Sequence, residues 1–107
     1  MKKRICVVTA TRAEYGLLKP IIEKLAASRT FEVQVAVTGA HLSPEFGLTY
    51  REIEKDGIAI HKKIEMLLSA DTPSAVSKSM GLALISFGEY FAESGPDGVL
   101  LLGDRYE

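Results

Sequence analysis

Residues 5–16 read ICVVTATRAEYG, and their order sets the fold. Ile5 to Val8 is a short apolar run rich in β-branched residues, which reads as a strand. Polar Thr9, Thr11 and Arg12 follow at once. From Glu14 to Ala27 the apolar residues Leu17, Leu18, Ile21, Ile22 and Leu25 recur at helical spacing. Pro20 lies inside that stretch and has no N–H, so a kink or a late helix start is expected there. A strand that runs through a short polar loop into a helix opens a parallel crossover unit.

The same alternation continues outward. Phe31 to Val37 is Val-rich and predicts a second strand. Ser43 and Pro44 form a cap followed by a first-turn proline; Phe46, Tyr50 and Ile53 continue at helical spacing, and Gly57 closes the helix. Ile58 to Ile64 is a weaker third strand nearer an edge, and residues 66–72 read as a loop. Thr72 or Asp71 caps a long helix with Pro73 early in it and a stripe of Val76, Met80, Leu84, Phe87 and Phe91. Gly95, Pro96 and Asp97 turn the chain into GVLLL, residues 98–102, the fourth strand. Strands separated by helices pair in parallel through right-handed crossovers. The apolar first and last strands suit a sheet covered on both faces. The expectation is a Rossmann-like α/β domain, a three-layer sandwich with strand order 3-2-1-4.

Bulk properties narrow the function. The 107 residues suffice for one small core, and 13 basic against 14 acidic residues leave a net charge of -1. Nucleic acid and anionic lipid therefore find no basic excess to bind. No stretch reads as a signal peptide or a membrane span. The single Cys6, inside the first strand, reads as a buried thiol, which fits a cytoplasmic protein. No Cys/His/Asp spacing makes a zinc site. A doubly wound domain would continue beyond the fourth strand, so residues 1–107 read as an incomplete amino-terminal domain of a longer protein.

In an open parallel sheet, ligands bind beyond the carboxyl ends of the strands, where the strand order reverses. That point lies between the first and fourth strands, so the candidate site is built from TATRAEYG (9–16) and GDRYE (103–107). The first loop is neither a dinucleotide fingerprint nor a P-loop. It offers the Thr9 and Thr11 hydroxyls, the Arg12 fork and a helix start, which suit a phosphate or diphosphate. The competing reading pairs Arg12 with Glu14 or Asp104 as a brace. Asp104 follows a buried strand, where desolvation raises proton affinity toward the acid/base range; alternatively it caps a following helix. Arg105 and Glu107 are terminal charges. His41, beside Gly39, falls on the same edge as a ligand or a packing residue, while His61 reads as structural or surface. Residues 66–72 are placed to cover the site as a lid.

Four stretches, in order and spanning nearly the whole chain, carry a resemblance: VTATRAEYGLLKPII (8–22), VTGAHLSPEFGLTYREIEKDG (37–57), SADTPSAVSKSMGLAL (69–84) and PDGVLLLGDRYE (96–107). The chain resembles the hydrolysing UDP-N-acetylglucosamine 2-epimerases of the sialic- and legionaminic-acid type. The resemblance implies the amino-terminal part of a two-domain glycosyltransferase-B-type fold, with a UDP-sugar in the cleft and no cofactor. It matches Arg12 to the arginine linked to the UDP diphosphate and Asp104 to an acid/base candidate. Thr11, His41 and Arg105 fall around the site. It also implies a homo-oligomer. Ala13 and Leu17 stand where the related non-hydrolysing epimerases carry proline and lysine, which favours the hydrolysing branch. A transferase of the same fold, or a non-catalytic nucleotide-binding module, is the alternative.

Overall fold

The computed structural model describes residues 3–42, 48–66 and 72–102. The elements follow in the order β1 (Lys3–Thr9), α1 (Arg12–Ala26), β2 (Phe31–Thr38), a 3-10 turn (Gly39–Leu42), α2 (Tyr50–Lys55), β3 (Lys62–Ile64), α3 (Pro73–Ser94) and β4 (Gly98–Leu100). The strands form one sheet in the order β3-β2-β1-β4. All three pairings are parallel, with Val7 opposite both Val35 and Leu100 and Val37 opposite Lys63. The expected α/β architecture and strand order are present.

Alternation along β1 and β2 divides the core between the two faces of the sheet. Val7, Val35 and Val37 pack with Tyr15, Leu18 and Ile22 of α1 and Ile53 of α2. Cys6, Val8, Ala36 and Ile64 face the other way, against Tyr90 of α3, with Phe87 and Phe91 partly buried beside them. Leu18 and Ile22 are fully buried, each burial worth about 1.5–3 kcal/mol.

Helix ends follow their chemistry. Thr11 caps α1, its Oγ1 accepting from the Glu14 N–H at 3.2 Å while its hydroxyl donates to the Glu14 carboxylate at 3.3 Å. The helix begins at Arg12 with Pro20 inside it, so the expected late start does not occur. Thr72 caps α3 by accepting from the Ala75 N–H at 3.1 Å, and Gly95, at φ 56°, closes it in the left-handed conformation. Gly57, at φ 78°, follows α2 in the same way. The expected cap at Ser43 and Pro44, Phe46, the Asp71 cap and residues 67–71 of the loop lie outside the described residues.

Two expectations need correction. The third strand is paired only over Lys62–Ile64, instead of from Ile58. Ile58 and Ile60 turn into the core on the α1 side, and exposed His61 takes up β2 by itself: its N–H donates to the Val35 carbonyl at 2.8 Å, and its Nδ1 accepts from the Val35 N–H at 3.0 Å. The second correction concerns α3, whose buried residues are Ala75, Ser79, Ala83 and Tyr90, while Met80 is 47% and Leu84 78% exposed. The helix is apolar on more than one side, so periodicity alone misplaces the inward face. The inner row is made mostly of small side chains, Ala75, Ser79 and Ala83.

Candidate functional site at the carboxyl edge of the sheet

The carboxyl ends of β1 and β2 stop side by side, Thr9 opposite Val37, and hand over to the α1 cap and the 3-10 turn. The two connections touch. Gly39 has φ 59°, and a Cβ there would lie 3.2 Å from both the Ala10 Cβ and the Ala10 carbonyl oxygen. That carbonyl accepts from the His41 N–H at 3.1 Å. Both the backbone conformation and the close approach favour a residue without a side chain here.

His41 is fully buried behind this contact. Its Nε2 lies 2.9 Å from Thr9 Oγ1 and its Nδ1 2.9 Å from Thr49 Oγ1. The Thr9 hydroxyl also reaches the Thr11 carbonyl at 3.5 Å, so its lone pair faces an Nε2–H and Nδ1 accepts from Thr49. Burial pushes the imidazole down from 6.5 to about 4, against a smaller upward pull from the Thr11 backbone. At neutral pH it is an uncharged brace tying β1, the 3-10 turn and the start of α2 together. The Tyr15 ring meets it edge-on, with centroids 6.4 Å apart.

Arg12 stands at the first position of α1 with its side chain 73% exposed, and its Nε lies 3.1 Å from Glu52 Oε2 on α2. The carboxylate it meets is therefore not the Glu14 weighed from the sequence; the Asp104 alternative lies outside the described residues. Glu14 is buried within the α1 cap. On the other flank of α1, the Tyr15 hydroxyl donates to Asp56 Oδ2 at 2.6 Å, and Lys19 Nζ lies 3.5 Å from the same oxygen. The Tyr15 bond, then Lys19, hold the Asp56 carboxyl below the usual range; burial and then Asp56 raise the Tyr15 hydroxyl. These contacts fix α2 against α1 and keep Arg12 at the rim.

The structure thus places Thr9, Thr11, Arg12 and His41 at one edge. The Thr11 hydroxyl is engaged in the helix cap and both His41 nitrogens are engaged internally, which leaves the half-free Arg12 guanidinium, paired with Glu52, at the exposed rim of this edge. Asp104 and Arg105 lie outside the described residues. Parallel pairing of β4 with β1 carries the chain toward this same edge as far as Leu100. Glu52 and Thr49 were missed in the sequence: Glu52 sits 40 residues from Arg12 and Thr49 8 residues from His41, and no local periodicity links either pair. Among the described residues, no group of three or more His, Cys, Asp or Glu side chains gathers to hold a metal ion, and no helix is long and apolar enough to cross a membrane.

Fold and edge together define a Rossmann-like domain whose ligand end carries an arginine at a helix start. Comparison with known proteins is more specific. The profile of the UDP-N-acetylglucosamine 2-epimerase family matches residues 23–107, and the chain belongs to that family. It is 49% identical over 106 residues to the Campylobacter jejuni GDP/UDP-N,N'-diacetylbacillosamine 2-epimerase (hydrolyzing), covering 99% of this chain and 27% of that protein. It is 39% identical over 107 residues to the Legionella pneumophila UDP-N,N'-diacetylbacillosamine 2-epimerase (hydrolyzing), covering 100% of this chain and 28% of that one. The chain thus spans about a quarter of the length of the curated relatives it matches. A crystal structure of a UDP-N-acetylglucosamine 2-epimerase superposes with a TM-score of 0.81 at 22% identity over 99% of this chain and 28% of that one. The Neisseria meningitidis UDP-GlcNAc 2-epimerase, solved bound to UDP-GlcNAc, superposes at 0.76 with 19% identity over 96% of this chain and 26% of that one. At those identities the superpositions establish the fold.

Proposed function

We propose that the chain forms the amino-terminal wall of the cleft in a hydrolysing 2-epimerase. Its substrate is UDP-N-acetylglucosamine or a UDP-2,4-diacetamido sugar, and its products are the free 2-epimeric sugar and UDP. The observation that carries this reading is the 49% identity, over almost the whole chain, to a protein named as a hydrolysing 2-epimerase. Ala13 and Leu17, in place of the proline and lysine of the non-hydrolysing relatives, support the same branch. A second Rossmann-like domain supplies the opposite wall, and the enzyme works in the cytoplasm.

The chemistry asked of the site is elimination followed by hydration. A base removes the proton at C2 while UDP leaves from C1, giving a glycal-type intermediate; water then adds with the opposite configuration at C2. Negative charge grows on the departing diphosphate, and the Arg12 guanidinium, at the start of α1, is the group assigned to stabilise it. Asp104 is the candidate carboxylate for proton transfer, and Arg105 flanks the substrate. His41 serves by holding the β1 and β2 ends in register, because both of its nitrogens are engaged inside the fold.

The test is incubation of the full-length enzyme with UDP-N-acetylglucosamine and with its 2,4-diacetamido analogue in deuterated water, read by NMR. The expected outcome is UDP and a free sugar of inverted C2 configuration carrying deuterium at C2. Retention of the original C2 proton, or sugar appearing only on an added acceptor, overturns the reading in favour of transfer.

A further inference from the structure

Helix α2 is attached to the domain in an unusual way. It has six residues, Tyr50–Lys55, and Ile53 is its buried residue. So short a helix is not stable by itself and depends on its contacts. Its start lacks a side-chain cap, because the Thr49 hydroxyl is turned to His41 Nδ1 at 2.9 Å instead of to an N–H of the helix. Side chains tether the rest. Lys63 Nζ lies 3.9 Å from the centre of the Tyr50 ring, and Glu52 meets Arg12 at 3.1 Å. Asp56, just past the last turn, accepts from the Tyr15 hydroxyl at 2.6 Å.

The backbone is left-handed on both sides of α2. Gly57, at φ 78°, adopts this conformation freely, whereas Leu48, at φ 51°, carries a side chain. Among the described residues Leu48 is the only non-glycine residue in that region. Strain of this kind persists only while surrounding contacts impose it. The Leu48 carbonyl accepts from the Arg51 N–H at 3.1 Å, so the strained residue belongs to the first turn of the docked helix. In that docked position the helix sets the Glu52 carboxylate on Arg12. A diphosphate that reaches Arg12 brings negative charge to the same guanidinium and repels Glu52.

We propose that α2 is a latch released by diphosphate: it docks with Glu52 on Arg12 while the site is empty, and it swings out between Leu48 and Gly57 when a diphosphate takes the arginine. The inference rests on the assignment of the UDP diphosphate to Arg12 and adds a regulation of that site. Rotation of the Glu52 side chain alone would also free the arginine. Strain at Leu48 favours motion of the whole helix instead, because undocking relieves it. Docking and binding are then linked reciprocally, so a change that loosens α2 tightens the diphosphate. Tyr15→Phe is such a change: it removes the bond to Asp56, touches neither Arg12 nor Glu52, and alters no charge.

Hydrogen–deuterium exchange of the full-length protein, read on peptides covering residues 48–57 with and without saturating UDP, tests the motion. Exchange in this segment should rise several-fold when UDP binds, and in Glu52→Gln that rise should be lost. Isothermal titration calorimetry tests the linkage. Tyr15→Phe should tighten UDP binding about threefold or more, and in a Glu52→Gln background it should have no effect, because the helix then no longer contests Arg12. Unchanged or slower exchange over residues 48–57 in the UDP complex overturns the inference. So does a Tyr15→Phe protein with wild-type affinity. If Arg12→Ala still weakens UDP binding, those results leave the diphosphate on Arg12 and remove only the latch. If Arg12→Ala binds UDP as the wild type does, the assignment to Arg12 fails and the latch with it.

Discussion

Arg12 Nε lies 3.1 Å from Glu52 Oε2, joining the first turn of α1 to α2 across the edge of the sheet where a ligand would enter. The pair is exposed, so it contributes less than about 1 kcal/mol to stability. Its consequence is for binding: an anion approaching Arg12 competes with a carboxylate already there. Glu52→Gln is expected to tighten UDP binding a few-fold in isothermal titration calorimetry on the full-length protein. Arg12→Ala is expected to weaken it by about tenfold or more, the worth of a charge-assisted contact. Unchanged affinity in both variants would place the diphosphate elsewhere.

His41 makes the fold sensitive to mild acid. Its folded-state pKa lies near 4, below the 6.5 of the exposed side chain, so between those values the unfolded chain binds a proton that the folded chain does not. The stability this confers is complete above about pH 6.5 and falls as pH drops toward about 4, by up to about 3 kcal/mol. Urea unfolding of the wild type across pH 4 to 8 should show this slope. His41→Gln should lower stability at pH 8 and flatten the slope.

Gly39 tests the contact between the β1 and β2 connections. Its φ of 59° and the 3.2 Å approach to Ala10 both strain an added side chain, so Gly39→Ala should cost about 1–3 kcal/mol. Gly57→Ala, at φ 78° but in open space, bears only the backbone part and should cost less. Equal losses in thermal or denaturant unfolding would mean that the approach to Ala10 is not felt.

Asp104 tests the proposed chemistry. Asp104→Asn removes the base while keeping the shape, and turnover of the full-length enzyme should fall by about a hundredfold or more with UDP affinity within a few-fold of wild type. Retained turnover would remove Asp104 from proton transfer and leave the UDP-binding role of Arg12 standing.

What the sequence determined was the plan. The apolar β-branched run at Ile5–Val8, the alternation at Phe31–Val37, helical spacing from Leu17 to Leu25, and the punctuation at Thr72, Gly57 and Gly95 are local signals, readable because they arise from neighbours along the chain. With right-handed crossovers they leave few sheet orders, and 3-2-1-4 is the one observed. The same logic put Thr9, Thr11, Arg12 and His41 at one edge. Tertiary structure alone decided how those residues are spent. His41 became a buried brace because Thr9 and Thr49, 32 and 8 residues away, converge on its two nitrogens. Arg12 found Glu52 because α2 docks beside α1 through Ile53, Tyr15 and Asp56. Helix α3 turned Ala75, Ser79 and Ala83 inward and left Leu84 outside. A helix with apolar residues on several sides carries no sequence mark of its rotation; that is set by which side chains find partners on the sheet, here Tyr90 against Cys6, Val8, Ala36 and Ile64.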